Sequence, residues 1–205
     1  MPLQNRVDPF GELCAVPARG LFFGNRGGRI HRDDRTLSRR RWTSRAWICC
    51  RLAFKGRHRE VWGDSYTELF FLDEPTAFAA GHRPCFECRR ADAVAVAAAW
   101  ARAHGLSAPP RAGEMDAVLH AQRLDGRAKR RHHAALDALP DGAVVVLEDE
   151  APFAVRGDVV LPWRFAGYGP AQPRPRGIEV DLLTPPAMVA VLSAGYRPQW
   201  HPSAD

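Results

Sequence analysis

Apolar residues fall in short runs over the first 72 positions. Leu21-Phe22-Phe23 lies between arginine-rich segments and is followed by the turn-forming steps Gly24-Asn25 and Gly27-Gly28; it reads as a short strand. The run 46–54 is rich in β-formers, 55–64 is polar and turn-like, and 66–72 is again apolar, so a hairpin spanning 46–72 is predicted. Asp73-Glu74-Pro75 is a helix start, an acceptor side chain followed by proline near the first turn, and this short helix ends at Gly81. A longer helix is predicted over about 89–104, closed by Gly105. Residues 106–113 form a connector, and 114–124 and 127–139 read as two helices broken at Asp125-Gly126. From Ala143 the pattern returns to β, at 144–147, 159–161 and the strictly alternating 178–182, before a last short helix at 186–194. Strands at both ends around central helices give an α+β class: an N-terminal β-hairpin, central helices and a small C-terminal antiparallel sheet.

Composition changes this picture little, but the distribution of charge changes it more. The longest uninterrupted apolar stretch is nine residues, 93–101, whereas a membrane span needs about 20. The first residues carry no apolar core of a signal peptide, so a soluble cytoplasmic protein without a membrane partner is expected. Of the 29 basic side chains, 27 are Arg. Residues 1–60 hold 14 basic and 5 acidic residues, net +9, while 61–205 hold 15 and 18, net −3. A preference for Arg over Lys does not explain that asymmetry. Arg makes forked contacts to phosphate oxygens, so the N-terminal third is read as a face for nucleic acid, DNA foremost. Its candidate contacts are Arg39, Arg40, Arg41, Arg45, Arg57, Arg59, Arg89 and Arg90.

Five cysteines, an odd number, argue against a disulfide framework. Cys85-Phe86-Glu87-Cys88 is a C-x-x-C, a spacing that lets two thiolates on one turn reach a single zinc ion. A redox role would need the motif to follow a strand and open a helix in a βαβ unit; here a short helix, a glycine and Arg83-Pro84 precede it. The stretch from Phe70 through Phe71-Leu72-Asp73-Glu74-Pro75 and Ala79-Ala80-Gly81-His82-Arg83-Pro84 to Cys88 resembles the second half of the Ada-type zinc domain of DNA alkylation-repair proteins. The likeness covers about 20 residues of 205. It implies that Cys85 and Cys88 bind Zn2+ and that neighbouring arginines face DNA phosphates. It also implies a role in DNA repair or processing, and packing rather than ligation for His82, which holds the family's aromatic position. That family draws its first two ligands from a C-x-x-x-C pair, whereas this chain has the adjacent Cys49-Cys50. On a strand, neighbours point to opposite faces, so one of the two is chosen as ligand: Cys50, with Cys49 in the core. The fourth ligand is His58, Cys14 or a water. The family's methyl-accepting thiolate would correspond to Cys50, flanked by Arg45 and Arg51. On this reading residues 1–105 are a basic Ada-like zinc-binding region. Residues 106–205 are a helical connector and α+β region packed as one unit with it.

Other constellations carry alternatives. Asp116 and His120 stand four apart on a predicted helix, the arrangement in which a carboxylate orients a general base. With Glu114 they define a possible hydrolase acting on nucleic acid or nucleotides, with Arg123 one turn further along placed for an anionic substrate group, against the plainer reading of an exposed helix pair. Lys129-Arg130-Arg131-His132-His133 reads as a solvated helix face or an extension of the phosphate-binding face. The pattern helix-Ala-Gly-aromatic-Arg-Pro recurs at 189–198 and is explained by helix capping. Trp163, Phe165 and Tyr168 form an aromatic loop that could stack on bases, against the plainer reading as core anchors. A structural zinc fold with a protein partner is the remaining alternative.

Overall fold

The computed structural model describes residues 1–56 and 60–205. In chain order its elements begin with β1 (Arg6–Val7), β2 (Leu13–Cys14), β3 (Phe22–Asn25), β4 (Ile48–Arg51), β5 (Leu69–Phe71), α1 (Glu74–Ala79) and β6 (Arg83–Pro84). Then come α2 (Arg90–Ala103), α3 (Ala112–Arg123), β7 (Leu124–Asp125), β8 (Ala128–Lys129), β9 (His132–Ala135) and β10 (Val144–Val146). The chain finishes with β11 (Pro152–Arg156), β12 (Val159–Pro162), β13 (Gln172–Pro173), β14 (Glu179–Leu182) and α4 (Pro186–Ser193). The class is α+β. One mixed sheet has the order β2-β1-β5-β3-β4-β6, an antiparallel sheet has the order β13-β12-β11-β10-β14-β9, and β7-β8 is a small hairpin.

Two expectations are corrected. The 46–72 hairpin does not form, because β3 lies between β4 and β5 and pairs antiparallel with both. Gly24 permits this insertion: a Cβ there would stand 2.0 Å from the Ile48 carbonyl oxygen. The helix expected over 127–139 is replaced by β8, β9 and a 3-10 turn at Leu136–Ala138. Gly126 turns the β7–β8 hairpin with φ 58°, and β9 pairs with β14 as an edge strand of the second sheet. Its polar neighbours suit an edge, where charge discourages pairing with a further strand. Within the basic cluster at 129–133, Lys129 therefore ends β8, His132 and His133 lie on β9, and Arg130 and Arg131 link the two strands.

The short helix α1 ties the molecule together. All six of its residues are buried, the polar Glu74 and Thr76 among them, and both of these have hydrogen-bond partners. Ala77 packs with Phe22, Leu69 and Phe71 under the first sheet. Ala79 packs with Val144, Val146 and Leu161 of the second. Phe78 joins Trp100, Met115, Leu119 and Met188 among α2, α3 and α4. Asp73 caps α1 through Thr76 N and Thr76 Oγ1, at 3.0 and 2.7 Å, and its second oxygen accepts from Tyr168 Oη at 2.8 Å. Trp163 Nε1 donates to Thr76 Oγ1, so two of the aromatic-loop residues anchor onto the start of α1. Among the described residues, no helix is long and apolar enough to cross a membrane.

Candidate metal centre

Strand alternation sorts the adjacent cysteines. Cys49 points into the core with Phe22, Leu69 and Phe71, and its sulfur accepts from Arg89 Nη1 at 3.4 Å. Burial pushes this thiol up, against the neighbouring Arg89 charge. Cys50 points to the other face of β4. The parallel pairing of β4 with β6 sets Cys49 beside Pro84, and Cys85 N donates to Cys49 O at 2.9 Å. The sequence expectation that no strand precedes the C-x-x-C is corrected: the motif directly follows β6, turns with Arg89 N bonded to Cys85 O at 3.0 Å, and opens α2. That turn brings Cys85 and Cys88 to Cys50, and the three sulfurs all lie within 4.8 Å of one another. A tetrahedral Zn2+ site with Zn–S near 2.3 Å has its sulfurs about 3.8 Å apart, so the cluster fits a metal ion.

The three thiols are shifted in different senses. Glu87 N donates to Cys85 Sγ at 3.4 Å, and, against its hydrogen bond with Cys50, Cys88 is pushed up by Cys85 and by burial. Cys85 is drawn far down by hydrogen bonds with Cys50 and then Cys88, aided by the N–H groups of Cys88 and Glu87, against the effect of burial. Cys50 is pushed up because it keeps the proton it shares with those two sulfurs, and by burial. The cluster opens onto a cleft of about 200 Å³, whose lining includes Phe23, Ile48, Phe54, Phe70 and Glu68.

His58, Arg57 and Arg59 lie outside the described residues. Cys14 is corrected as a fourth ligand: it lies on β2, the edge strand four positions from β4 in the sheet. His82 sits in the core with its ring centroid 4.6 Å from Phe71 and 5.0 Å from Trp47. Neither of its nitrogens has a hydrogen-bond partner among the described residues.

The arginines divide. Arg39, Arg40, Arg45 and Arg90 are exposed, and Arg41 is half-buried, held by Glu12 and donating to Arg127 O at 2.8 Å. Arg89 is corrected: its side chain is fully buried and paired with Glu74 at 2.7 Å and Asp92 at 2.9 Å, out of reach of a phosphate. Arg127, which sequence reading missed, donates to Arg39 O at 2.7 Å. It lines a basic cavity of about 220 Å³ with Arg26, Arg39, Arg40 and Arg41. No signal in the local pattern links positions 39 and 127, because the β7–β8 hairpin that carries Arg127 was read as helix.

The acid–base pair on α3 is not assembled. Asp116 is buried and grips Arg83 with both oxygens, at 2.8 and 2.7 Å. That bidentate, charge-assisted contact is stronger than a bond to a neutral imidazole. His120 Nδ1 instead lies 2.8 Å from Arg123 Nη2, and its pKa is lowered by burial and then by Arg123 and Arg45. Glu114 accepts the Arg111 N–H at 2.6 Å and closes the start of α3. Arg123, the candidate for an anionic substrate group one turn beyond His120, is buried, and so is Arg26, which sequence reading missed. Their guanidinium carbons lie 3.9 and 4.0 Å from the Trp47 ring centroid.

No family model, curated protein or solved structure matches this chain. Function is therefore read from the site itself.

Proposed function

We propose that this is a zinc-binding protein that contacts nucleic acid, DNA foremost, through an arginine-rich face, in DNA repair or processing. The observation that carries the metal half is the convergence of Cys50, Cys85 and Cys88 from a strand and a helix-opening turn. Soft thiolates favour zinc over harder divalent ions, and the likeness of residues 70–88 to an Ada-type zinc half-site supports the same ion. The fourth position is taken by His58 or a water; when bound, the zinc cross-links β4 to the start of α2. The nucleic-acid half is supported by exposed Arg39 and Arg40, with Arg127 at the cavity they line, and by exposed Arg45.

Metal analysis of protein purified without chelator is expected to give about one zinc per chain. Cys50→Ser, Cys85→Ser and Cys88→Ser should each lose it, while Cys49→Ala keeps it. Less than half an equivalent of zinc in the unaltered protein would overturn the metal reading. For the second half, duplex DNA binding should weaken with salt at a slope of about −0.9 per phosphate contacted, and Arg39→Ala with Arg40→Ala should flatten that slope by about two contacts. Absence of binding at low salt by folded, zinc-loaded protein would remove DNA from the proposal.

A further inference from the structure

The basic cavity is assembled from four separate stretches of chain: the segment around β1 and β2, the residue after β3, the loop 37–41 and the β7–β8 turn. Three of its guanidiniums are fixed by backbone carbonyls. Arg26 Nη2 donates to Gly11 O at 2.7 Å, Arg41 Nη1 to Arg127 O at 2.8 Å, and Arg127 Nη2 to Arg39 O at 2.7 Å. A carbonyl orients a guanidinium without cancelling its charge. The one carboxylate in the lining, Glu12, is paired with Arg41. Among the described residues, Arg26, Arg39, Arg40 and Arg127 form no ion pair. Arg26 is the informative member, because it is 1% exposed. The other buried guanidiniums Arg83 and Arg89 have Asp116 and Glu74 as partners, as a buried charge requires. Arg26 has only the Trp47 ring, 4.0 Å from its guanidinium carbon, and burial, then Arg41, lowers its pKa. Its Nε is sealed in protein, whereas Nη1, also without a hydrogen bond, is not.

We propose that this cavity takes a phosphomonoester, the terminal phosphate of a nucleic-acid strand. It rests on the nucleic-acid reading for the strand that presents the phosphate. Four cations without counter-charge repel one another across one small space, and an anion among them removes that cost. Planar guanidinium forks match phosphate oxygens in geometry as well as charge. The depth of the site selects the end of a strand. With Arg26 buried and Arg39, Arg40 and Arg127 exposed, the charge runs from floor to rim. An internal phosphodiester has chain leaving from two of its oxygens and lies along the surface, short of Arg26. A monoester has chain on one oxygen only, so three oxygens enter the cavity, and it carries about −1.5 to −2 charge at pH 7. The volume of about 220 Å³ is below the roughly 300–1,000 Å³ of sites for drug-sized ligands, which suits a phosphate with its sugar and leaves the base outside.

The test uses the full chain and fluorescence anisotropy at about 0.15 M salt, with thymidine strands of about ten nucleotides labelled internally. The strands carry a 5′-phosphate, a 3′-phosphate or hydroxyls at both ends. One phosphorylated strand is expected to bind about tenfold or more tightly than the hydroxyl-ended one, the scale of a charge-assisted hydrogen bond, and the better of the two assigns the end. Arg40→Gln with Arg127→Gln, both exposed positions, should bring that ratio to about threefold or less. Arg45→Gln, outside the cavity lining, should weaken all three strands and keep the ratio. Equal affinity for the three strands, or an unchanged ratio in the double variant with native circular dichroism, overturns the end site and leaves the nucleic-acid reading standing. Inorganic phosphate and thymidine monophosphate, followed by 31P NMR at millimolar concentration, separate the sources. If they bind the unaltered chain but not the double variant, while no strand binds, the cavity stands as a site for free phosphate esters and the nucleic-acid reading falls. Binding of neither strand nor phosphate overturns both.

Discussion

His82 shows what one buried side chain imposes. It is fully enclosed, lies near the buried Arg26 and Arg123, and its pKa is held well below the ordinary 6.5, first by burial and then by those charges. The folded protein resists the proton that the unfolded chain accepts, so its contribution to stability is lost as pH falls below about 6.5, by about 1.4 kcal/mol per unit. Asp8 acts in the opposite sense. Burial raises it to about 6, so the folded state takes its proton first and acidification from about 6 to 4 favours folding. The total pH profile mixes the two, but a difference profile separates them. His82→Phe should become progressively more stable than the unaltered protein below pH 6.5, measured by urea unfolding from pH 7.5 to 5. A flat difference would mean that the imidazole is charged in the folded state. At pH 7 the same change removes two unsatisfied nitrogens and should be neutral or stabilising by about 1 kcal/mol.

At the scale of the element, the recurring Ala-Gly-aromatic-Arg-Pro pattern is a helix-stopping device. After α1, His82 N bonds to Ala77 O at 2.8 Å and Gly81 N to Phe78 O at 2.9 Å; after α4, Tyr196 N bonds to Val191 O at 3.3 Å and Gly195 N to Leu192 O at 3.0 Å. Both are Schellman closures with a left-handed glycine, φ 84° at Gly81 and 97° at Gly195. Their surroundings differ. A Cβ at Gly195 meets nothing within 4 Å, whereas one at Gly81 would lie 2.5–2.7 Å from the Arg123 side chain, which is buried against Trp47. Gly195→Ala should therefore cost about 1 kcal/mol, the conformational term alone. Gly81→Ala should cost at least 1 kcal/mol more, through overpacking. Equal costs in chemical denaturation would show that Arg123 moves aside freely. The strand β4 carries the same lesson: alternation assigns Cys49 to the core and Cys50 to the cysteine cluster from adjacent positions.

Over the whole molecule, α1 and the residues around it join three apolar clusters. Glu74 adds a polar seam: it pairs with Arg89, accepts from Tyr196 Oη at 3.0 Å and from Gln199 N at 2.7 Å, and so fastens the C-terminal segment to the first sheet. Unfolding is expected to be one cooperative transition, with far-UV circular dichroism and tryptophan fluorescence coinciding. Glu74→Ala leaves Arg89 with only Asp92 as carboxylate partner and should cost about 3–5 kcal/mol, the usual penalty for breaking a buried pair. Separated transitions for the two probes would show that α1 does not couple the sheets.

What the chain determines locally was legible in it. The caps of α1 and α4, the C-x-x-C turn, the core position of Cys49 and the extents of α2 and α3 follow from short-range sterics, hydrogen bonding and period, which act over a few residues. The tertiary structure decided what depends on partners distant in sequence. Glycine at 24 lets β3 enter between β4 and β5, which the run 46–72 by itself does not indicate. Pairing with β14 makes a strand of His132–Ala135, where local composition favoured helix. Arg83 takes Asp116 away from His120 because a buried guanidinium requires a carboxylate more than a neutral imidazole does. The cysteine cluster lies between these cases: residue type and alternation selected Cys50, but only the parallel pairing of β4 with β6 brings it to Cys85 and Cys88, across 35 positions of chain.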